Sequence, residues 1–216
     1  MSAAGEQVRH PVFARLYACL GSKAEDKGQA ELRRELLAGL TGRVVEVGAG
    51  HGLNFQHYPE AVTEVVAVEP ESHLRGLAAT AAQTAPVPIR VVDGVADAIP
   101  AGDEEFDAGV ACLMLCSVPD QARALAEYRR VLRPGAELRF YEHVLADTAR
   151  FARVQSIGDK SGLWPRVSGG CHASRDTARA IEAAGFEIRR CRTFRFRTGL
   201  ADAIATPKIL GVAHRA

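Results

Sequence analysis

The sequence has almost no net charge: 27 Lys and Arg face 26 Asp and Glu, a balance of +1. A surface so balanced has no overall field to draw a polyanion, which argues against nucleic acid as the main partner. No window approaches the roughly 18 uncharged apolar residues that a membrane helix needs. The opening stretch MSAAGEQVRHPVFARLYACL is interrupted by charges and a proline, so it does not read as a secretory leader. Cysteine is scarce and scattered: there are five, an odd number, without a C-x-x-C pair. That excludes a disulfide framework and a zinc knuckle, and suits small apolar or site-lining thiols in a reducing cytoplasm. Repeats and low-complexity tracts are missing too. What is left is an expected cytoplasmic globular protein of 216 residues, 47% hydrophobic and 25% charged, the size of one domain.

Short β-branched runs alternate with longer helical stretches. RVVEVG (43–48), EVVAVEP (64–70), PIRVVDG (88–94), FDAGVACLML (106–115) and ELRFYEHV (137–144) read as strands. They are apolar on both faces, as parallel strands covered by helices are. Helices are expected over 71–83, over 120–132 and over 176–184, the last ended by Gly185. FEIRRCRTFRF and PKILGVAHR read as two further strands. The predicted fold is α/β: a Rossmann-like, doubly wound seven-stranded sheet with five parallel strands, a C-terminal pair containing one antiparallel strand, and helices on both faces. Residues 1–40 are expected to form an N-terminal helical cap whose KAEDKG stretch is a solvated connection. Residues 41–216 form the main domain, with a variable insertion at about 147–172 that contains Trp164, Pro165 and a Gly-Gly pair.

The most informative stretch is Glu46-Val47-Gly48-Ala49-Gly50-His51-Gly52, directly after a strand. Glycines at alternate positions let backbone approach a ligand closely. A dinucleotide site of the form G-x-G-x-x-G would need its third glycine at Leu53, and no G-K-[ST] follows for a phosphate loop. The third glycine at Gly52, with Glu46 two positions before the first, has the spacing of an S-adenosylmethionine site. Glu69 ends the second strand, where a carboxylate accepts ribose hydroxyls. Asp93-Gly94-Val95-Ala96-Asp97 follows the third strand, Phe106-Asp107 opens the fourth, and Arg133-Pro134-Gly135 turns into the fifth.

With these features in order, the sequence resembles class I S-adenosylmethionine-dependent methyltransferases from about residue 40 onward. EVGAGHGLNFQHYP (46–59), LCSVPD (115–120), RRVLRPG (129–135) and YEHV (141–144) resemble more narrowly the methyltransferase-like group that contains alkyl-thiol S-methyltransferases. Mammalian members of that group carry an N-terminal hydrophobic anchor, which this sequence lacks, so a soluble protein without a membrane partner is expected. The resemblance implies methyl transfer to a small-molecule acceptor, with a thiol as the leading candidate. It implies that Glu46, Gly48, Ala49, Gly50, Gly52 and Asn54 hold the methionine end of the cofactor, and Glu69 and Pro70 the ribose. Asp93, Gly94, Val95 and Ala96 then line the adenine, and Cys112 and Leu113 close the pocket. Many members have an acidic residue where Val95 falls, so backbone or Asp97 stands in for that contact.

Methyl transfer from a sulfonium is an in-line displacement that mainly needs alignment in an apolar, water-poor site. No metal is required, and no ligand cluster with metal spacing is visible in the sequence. A thiol with pKa near 8.5 needs only a weak base. His143, at the carboxyl end of the fifth strand, is the first candidate for it; a buried histidine bonded to a loop is the other reading. His172 is the second candidate. Glu142 and His143 point to opposite strand faces, one toward the site and one into packing. Tyr17, Cys116 and Trp164 are candidates for the acceptor pocket, Cys116 as a lining thiol without chemistry of its own. The alternating Arg and Phe of residues 186–197 are expected to form a solvated edge with an apolar inner face. O- or N-methylation of a secondary metabolite or lipid amine, and a non-catalytic cofactor-binding module, are the competing functions; the oligomeric state is not legible.

Overall fold

A computed structural model of the chain describes residues 25–197 and 204–216; Tyr17 and Cys19 lie outside them. Helix α1 (Ala30–Leu37) precedes β1 (Gly42–Val47), β2 (Val62–Val68), α2 (Ser72–Ala82), β3 (Ile89–Val92), β4 (Phe106–Cys112), α3 (Gln121–Val131) and β5 (Leu132–His143). After these come α4 (Ala149–Lys160), α5 (Leu163–Val167), α6 (Thr177–Ala183), β6 (Phe186–Arg195) and β7 (Pro207–Arg215). The seven strands form one sheet in the order β3-β2-β1-β4-β5-β7-β6. Pairings among β1 to β5 are parallel, and β7 runs antiparallel to both β5 and β6.

The unbroken valine runs have a simple physical basis. Side chains alternate across a strand, so a strand covered on both faces needs apolar residues at every position. Val45, Val47, Val66 and Val68 enter one core together with Leu125, Tyr128 and Ile181, from α3 and α6. Val44, Val65, Ala67 and Val110 enter the other, with Leu36 and Leu37 of α1 and Ala78 of α2. Side-chain caps start three of the helices: Glu71 accepts from Leu74 N, Asp120 from Ala122 N and Arg123 N, and Asp176 from Arg179 N. Each cap meets backbone donors that the first turn leaves unpaired. Leu125, fully buried in the first core, illustrates the energetics. Leu125→Ala is expected to cost about 2–5 kcal/mol, read as a lower midpoint in urea unfolding.

The 147–172 insertion, expected as a loop or short helices, is helical, as α4 and α5. Two sequence expectations are corrected. KAEDKG is not merely solvated: Glu25 pairs with buried Arg33 at 2.9 Å and lies 3.9 Å from His57. As expected, Phe106 and Asp107 open β4, where Asp107 accepts from Arg43 N and pairs with Arg133. The inner face of β6 is thinner than alternation suggests, because a register shift between Ile188 and Arg190 interrupts it. Phe194 still stacks on Tyr141 at 6.1 Å, and exposed Arg192 pairs with Glu35 at the surface. Among the described residues no helix is long and apolar enough to cross a membrane.

Candidate active site

The carboxyl edge of the parallel strands is where an open α/β sheet binds its ligands, and the loops after β1, β2 and β4 meet there. Gly48, Gly50 and Gly52 have φ of 71°, 59° and 85°, a region that side chains disfavour. A Cβ on Gly48 would lie 2.8 Å from Met114 Cβ, and one on Gly52 2.7 Å from the Phe55 ring. The loop is therefore glycine for two reasons, torsion and room. Gly48 N and Ala49 N both donate to Val68 O, which ties the loop to the end of β2. Glu69, next in the chain, accepts from Gly50 N at 2.8 Å and from Glu71 N at 2.9 Å. One lone pair on each carboxylate oxygen is thereby engaged, and the second remains for a ligand.

Beneath the loop, Glu46 is fully buried and does not face the crevice unaided. It accepts from Asn54 Nδ2 and from the Tyr58 hydroxyl, each at 2.7 Å. Asn54 Oδ1 in turn accepts from Arg33 Nη1 at 2.8 Å, and the same nitrogen lies 3.2 Å from Cys112 Sγ. Neither Arg33 nor Tyr58 was singled out by the sequence reading. Arg33 carried one usable signal, a charged residue on the buried stripe of an amphipathic helix alongside Leu36 and Leu37.

Burial raises both carboxyls. Desolvation pushes Glu46 to about 7, opposed by its bonds from Tyr58 and Asn54. Desolvation likewise pushes Glu69 to about 7, opposed by the backbone bonds from Glu71 and Gly50. A folded pKa above the unfolded one means that the native state binds extra protons. The associated stability is fully present below the unfolded pKa near 4.5 and is lost as pH rises through about 7. The ligand-free protein is accordingly expected to melt at progressively lower temperature between pH 5 and pH 8. A Glu46→Gln, Glu69→Gln double variant should flatten that dependence in a pH series of thermal melts.

On the far side, Asp93 directs its carboxylate to Arg75 Nη1 at 3.1 Å and is largely exposed. Arg75 also donates to Glu69 O and Pro70 O, so it pins the backbone after β2. Gly94 packs tightly: a Cβ there would lie 2.8 Å from Pro100 and 2.9 Å from Val68. Val95 and Ala98 form an isolated bridge that holds Ala96 and Asp97 in a turn. Cys112 ends β4 and is buried, which raises its thiol to about 12. Leu113 has φ of 56°, an unusual value for a leucine, and donates from its N to Tyr141 O at 2.7 Å. Such strain concentrates where function fixes a loop.

The loop after β4 is held from β5. Glu142, completely buried, accepts from Met114 N, Leu115 N and Cys116 N at 3.0, 2.8 and 3.1 Å. It is the packing member of the Glu142–His143 pair. His143 is half-buried, and its Nδ1 lies 3.4 Å from Cys116 Sγ and 3.5 Å from Cys171 Sγ. Hydrogen bonding to Cys171, together with burial, pushes the Cys116 thiol well up. Sequence spacing had suggested no ligand cluster; folding assembles one from three remote segments. His172 donates its backbone N to Cys116 O at 2.7 Å. Trp164 lies in α5, its Nε1 buried with no hydrogen-bond partner among the described residues.

Known proteins share this sequence and fold. A methyltransferase-domain family model matches residues 45–140. Human thiol S-methyltransferase TMT1B is 33% identical over 186 residues, 81% of this chain and 75% of the relative. Human thiol S-methyltransferase TMT1A is 31% identical over 196 residues, covering 85% and 78%. A solved structure of geranyl diphosphate methyltransferase in complex with SAM superposes with a TM-score of 0.67 at 16% identity, over 98% of this chain and 93% of that one. The chain belongs to the class I S-adenosylmethionine-dependent methyltransferases, in the group that contains the thiol S-methyltransferases. It is an enzyme, and S-adenosylmethionine is its cofactor. The residues present suit that molecule: a carboxylate at Glu69 with lone pairs to spare, a buried guanidinium at Arg33 and a glycine-rich loop whose backbone allows close approach.

Proposed function

We propose that this enzyme methylates a small-molecule thiol. The relatives named thiol S-methyltransferases, matched over three-quarters or more of their length, carry the reading. Geometry supports it: the ionisable group at the carboxyl end of β5, His143, faces sulfur and lies among buried, weakly polar surroundings. Bound S-adenosylmethionine supplies an activated methyl on a sulfonium. The protein's part is to align, to keep water out and to favour the acceptor thiolate.

In this reading Gly48, Ala49, Gly50 and Gly52 cup the amino-acid end of the cofactor. Glu46 orders Asn54 and Tyr58 beneath them, and Arg33 attracts the α-carboxylate. Glu69, with Pro70 beside it, takes the ribose. Asp93, Gly94, Val95 and Ala96 flank the adenine mainly through backbone, since the Asp93 side chain is turned to Arg75. Cys112 and Leu113 close the crevice. Trp164 and Cys116 line the acceptor side, and His172 buttresses the Cys116 backbone. The near-zero net charge and the four unpaired cysteines among the described residues support a small-molecule acceptor and a reducing, cytoplasmic setting.

Purified enzyme with labelled cofactor and a panel of thiols, phenols and amines tests the acceptor class. Transfer to thiols is expected; transfer to amines or phenols alone would defeat it. His143→Ala is expected to lower kcat about a hundredfold, the low end of acid–base contributions, while calorimetry finds the cofactor Kd unchanged. Equal turnover in the variant across pH would reduce His143 to a packing residue.

A further inference from the structure

Cys116, His143 and Cys171 reach one point from the loop after β4, the end of β5 and the turn before α6. Their three ligand atoms all lie within 4.8 Å of one another. His143 Nδ1 carries either one proton or one lone pair, so as a hydrogen-bonding group it engages one sulfur and leaves the other to bond the first thiol. A cation between them satisfies all three. Tetrahedral zinc, with bonds of about 2.3 Å to sulfur and about 2.0 Å to nitrogen, separates neighbouring sulfur and nitrogen ligands by about 3.5 Å. The observed separations are 3.4 and 3.5 Å.

The supporting backbone is fixed on each side. Glu142 holds the loop through Cys116 by three bonds. Gly169 and Gly170, with φ of 68° and 90°, make the bend that delivers Cys171. A Cβ on Gly170 would lie 3.1 Å from Ser117 O. Ser168 Oγ donates to Cys171 O, and Asp159 of α4 accepts from Ala173 N and Ser174 N. Ser117 Oγ, 3.5 Å from Cys116 Sγ, is an outer-shell partner, the kind that tunes a metal ligand. Both cysteines are buried and His143 is half-buried, so solvent and acceptor reach the cluster from the histidine side.

We propose that Cys116, His143 and Cys171 form a zinc site with three protein ligands and an open fourth position for the acceptor thiolate. Only the fourth position rests on the thiol reading above. The acceptor loses its proton to solvent as its sulfur bonds the cation. A sulfur lone pair then forms the bond to the methyl carbon while the methyl–sulfonium bond breaks, its electron pair staying with the departing thioether. The methylated product is a neutral thioether, a poor ligand beside a thiolate, and leaves. His143 serves here as a ligand that positions the cation.

The full chain, reduced and stripped with chelator, is titrated anaerobically with Co²⁺ and then with competing Zn²⁺. One equivalent is expected, with sulfur-to-cobalt charge-transfer and tetrahedral d–d absorption. Cys171→Ser should weaken binding at least about tenfold, since even outer-shell partners are worth that much. Cys191→Ser, at an exposed position, should leave it unchanged. Adding propanethiol, but not propanol, should shift the cobalt bands. No stoichiometric binding, binding unaffected by Cys171→Ser, or a Cys116–Cys171 disulfide in a protein that takes no metal after reduction overturns the site. Binding without a propanethiol response overturns the open position even if thiols are methylated. Cobalt bands that respond to propanethiol in an enzyme that methylates only amines keep the site and sink the acceptor reading.

Discussion

Replacing Glu69 with alanine is expected to raise the dissociation constant for S-adenosylmethionine by about tenfold to a hundredfold. A hydrogen bond to a charged group contributes about 1.5–3 kcal/mol, and each 1.4 kcal/mol is about tenfold in affinity. Glu69 ends the run that follows β2, and its carboxylate already orients the glycine loop through Gly50 N. Loss of the side chain therefore removes a ribose acceptor and loosens the loop together. Because burial raises this carboxyl to about 7, affinity in the unmodified enzyme should also improve as pH rises from 6 to 8, as the ionised acceptor becomes populated. The alanine variant should lose that pH dependence. Calorimetry across pH checks both effects, with circular dichroism to confirm that the variant is folded. Affinity within a factor of two of the parent would assign the ribose to another group.

The second large effect is expected at Glu142. This carboxyl is fully buried, and burial raises its pKa well above the usual range, so holding it there has a cost. Three backbone donors of the loop after β4 offset that cost. Glu142→Ala relieves the desolvation yet strands three N–H groups, each worth about 1–3 kcal/mol when left unpaired. The stranded donors outweigh the relief, for a net loss of about 2–3 kcal/mol. For a chain of this size that lowers Tm by roughly 5–10 °C. Turnover should fall as well, because Cys116 and Leu113 lose their placement. Glu142→Gln, which keeps one acceptor oxygen but sets an amide NH₂ against a backbone donor, should fall between. An unchanged Tm in the alanine variant would mean that the loop holds its shape without this carboxylate.

Much of the fold could be read from the sequence because its signals are local. Alternation and valine content locate each parallel strand, and Asp120 and Asp176 mark helix starts by capping them. The glycine loop and Glu69 were legible for the same reason, as adjacent residues with a fixed spacing. What escaped depends on contacts across the chain. Arg33 meets Asn54 and Cys112, which are 21 and 79 positions away. Cys116 and Cys171 both meet His143, at separations of 27 and 28 residues that match no metal motif. Glu142 looked like an alternative to His143, whereas its three backbone bonds make it the brace on which His143 and Cys116 come together.

The central claim is that the loop starting at Gly48, with Glu69, is where the cofactor binds. A crystal structure of the enzyme with S-adenosylhomocysteine tests it most directly. The amino-acid tail is predicted to lie over residues 48–52 near Arg33, with both ribose hydroxyls on Glu69 and the sulfur facing the loop after β4. A nucleoside bound elsewhere, or one whose ribose makes no contact with Glu69, contradicts the account.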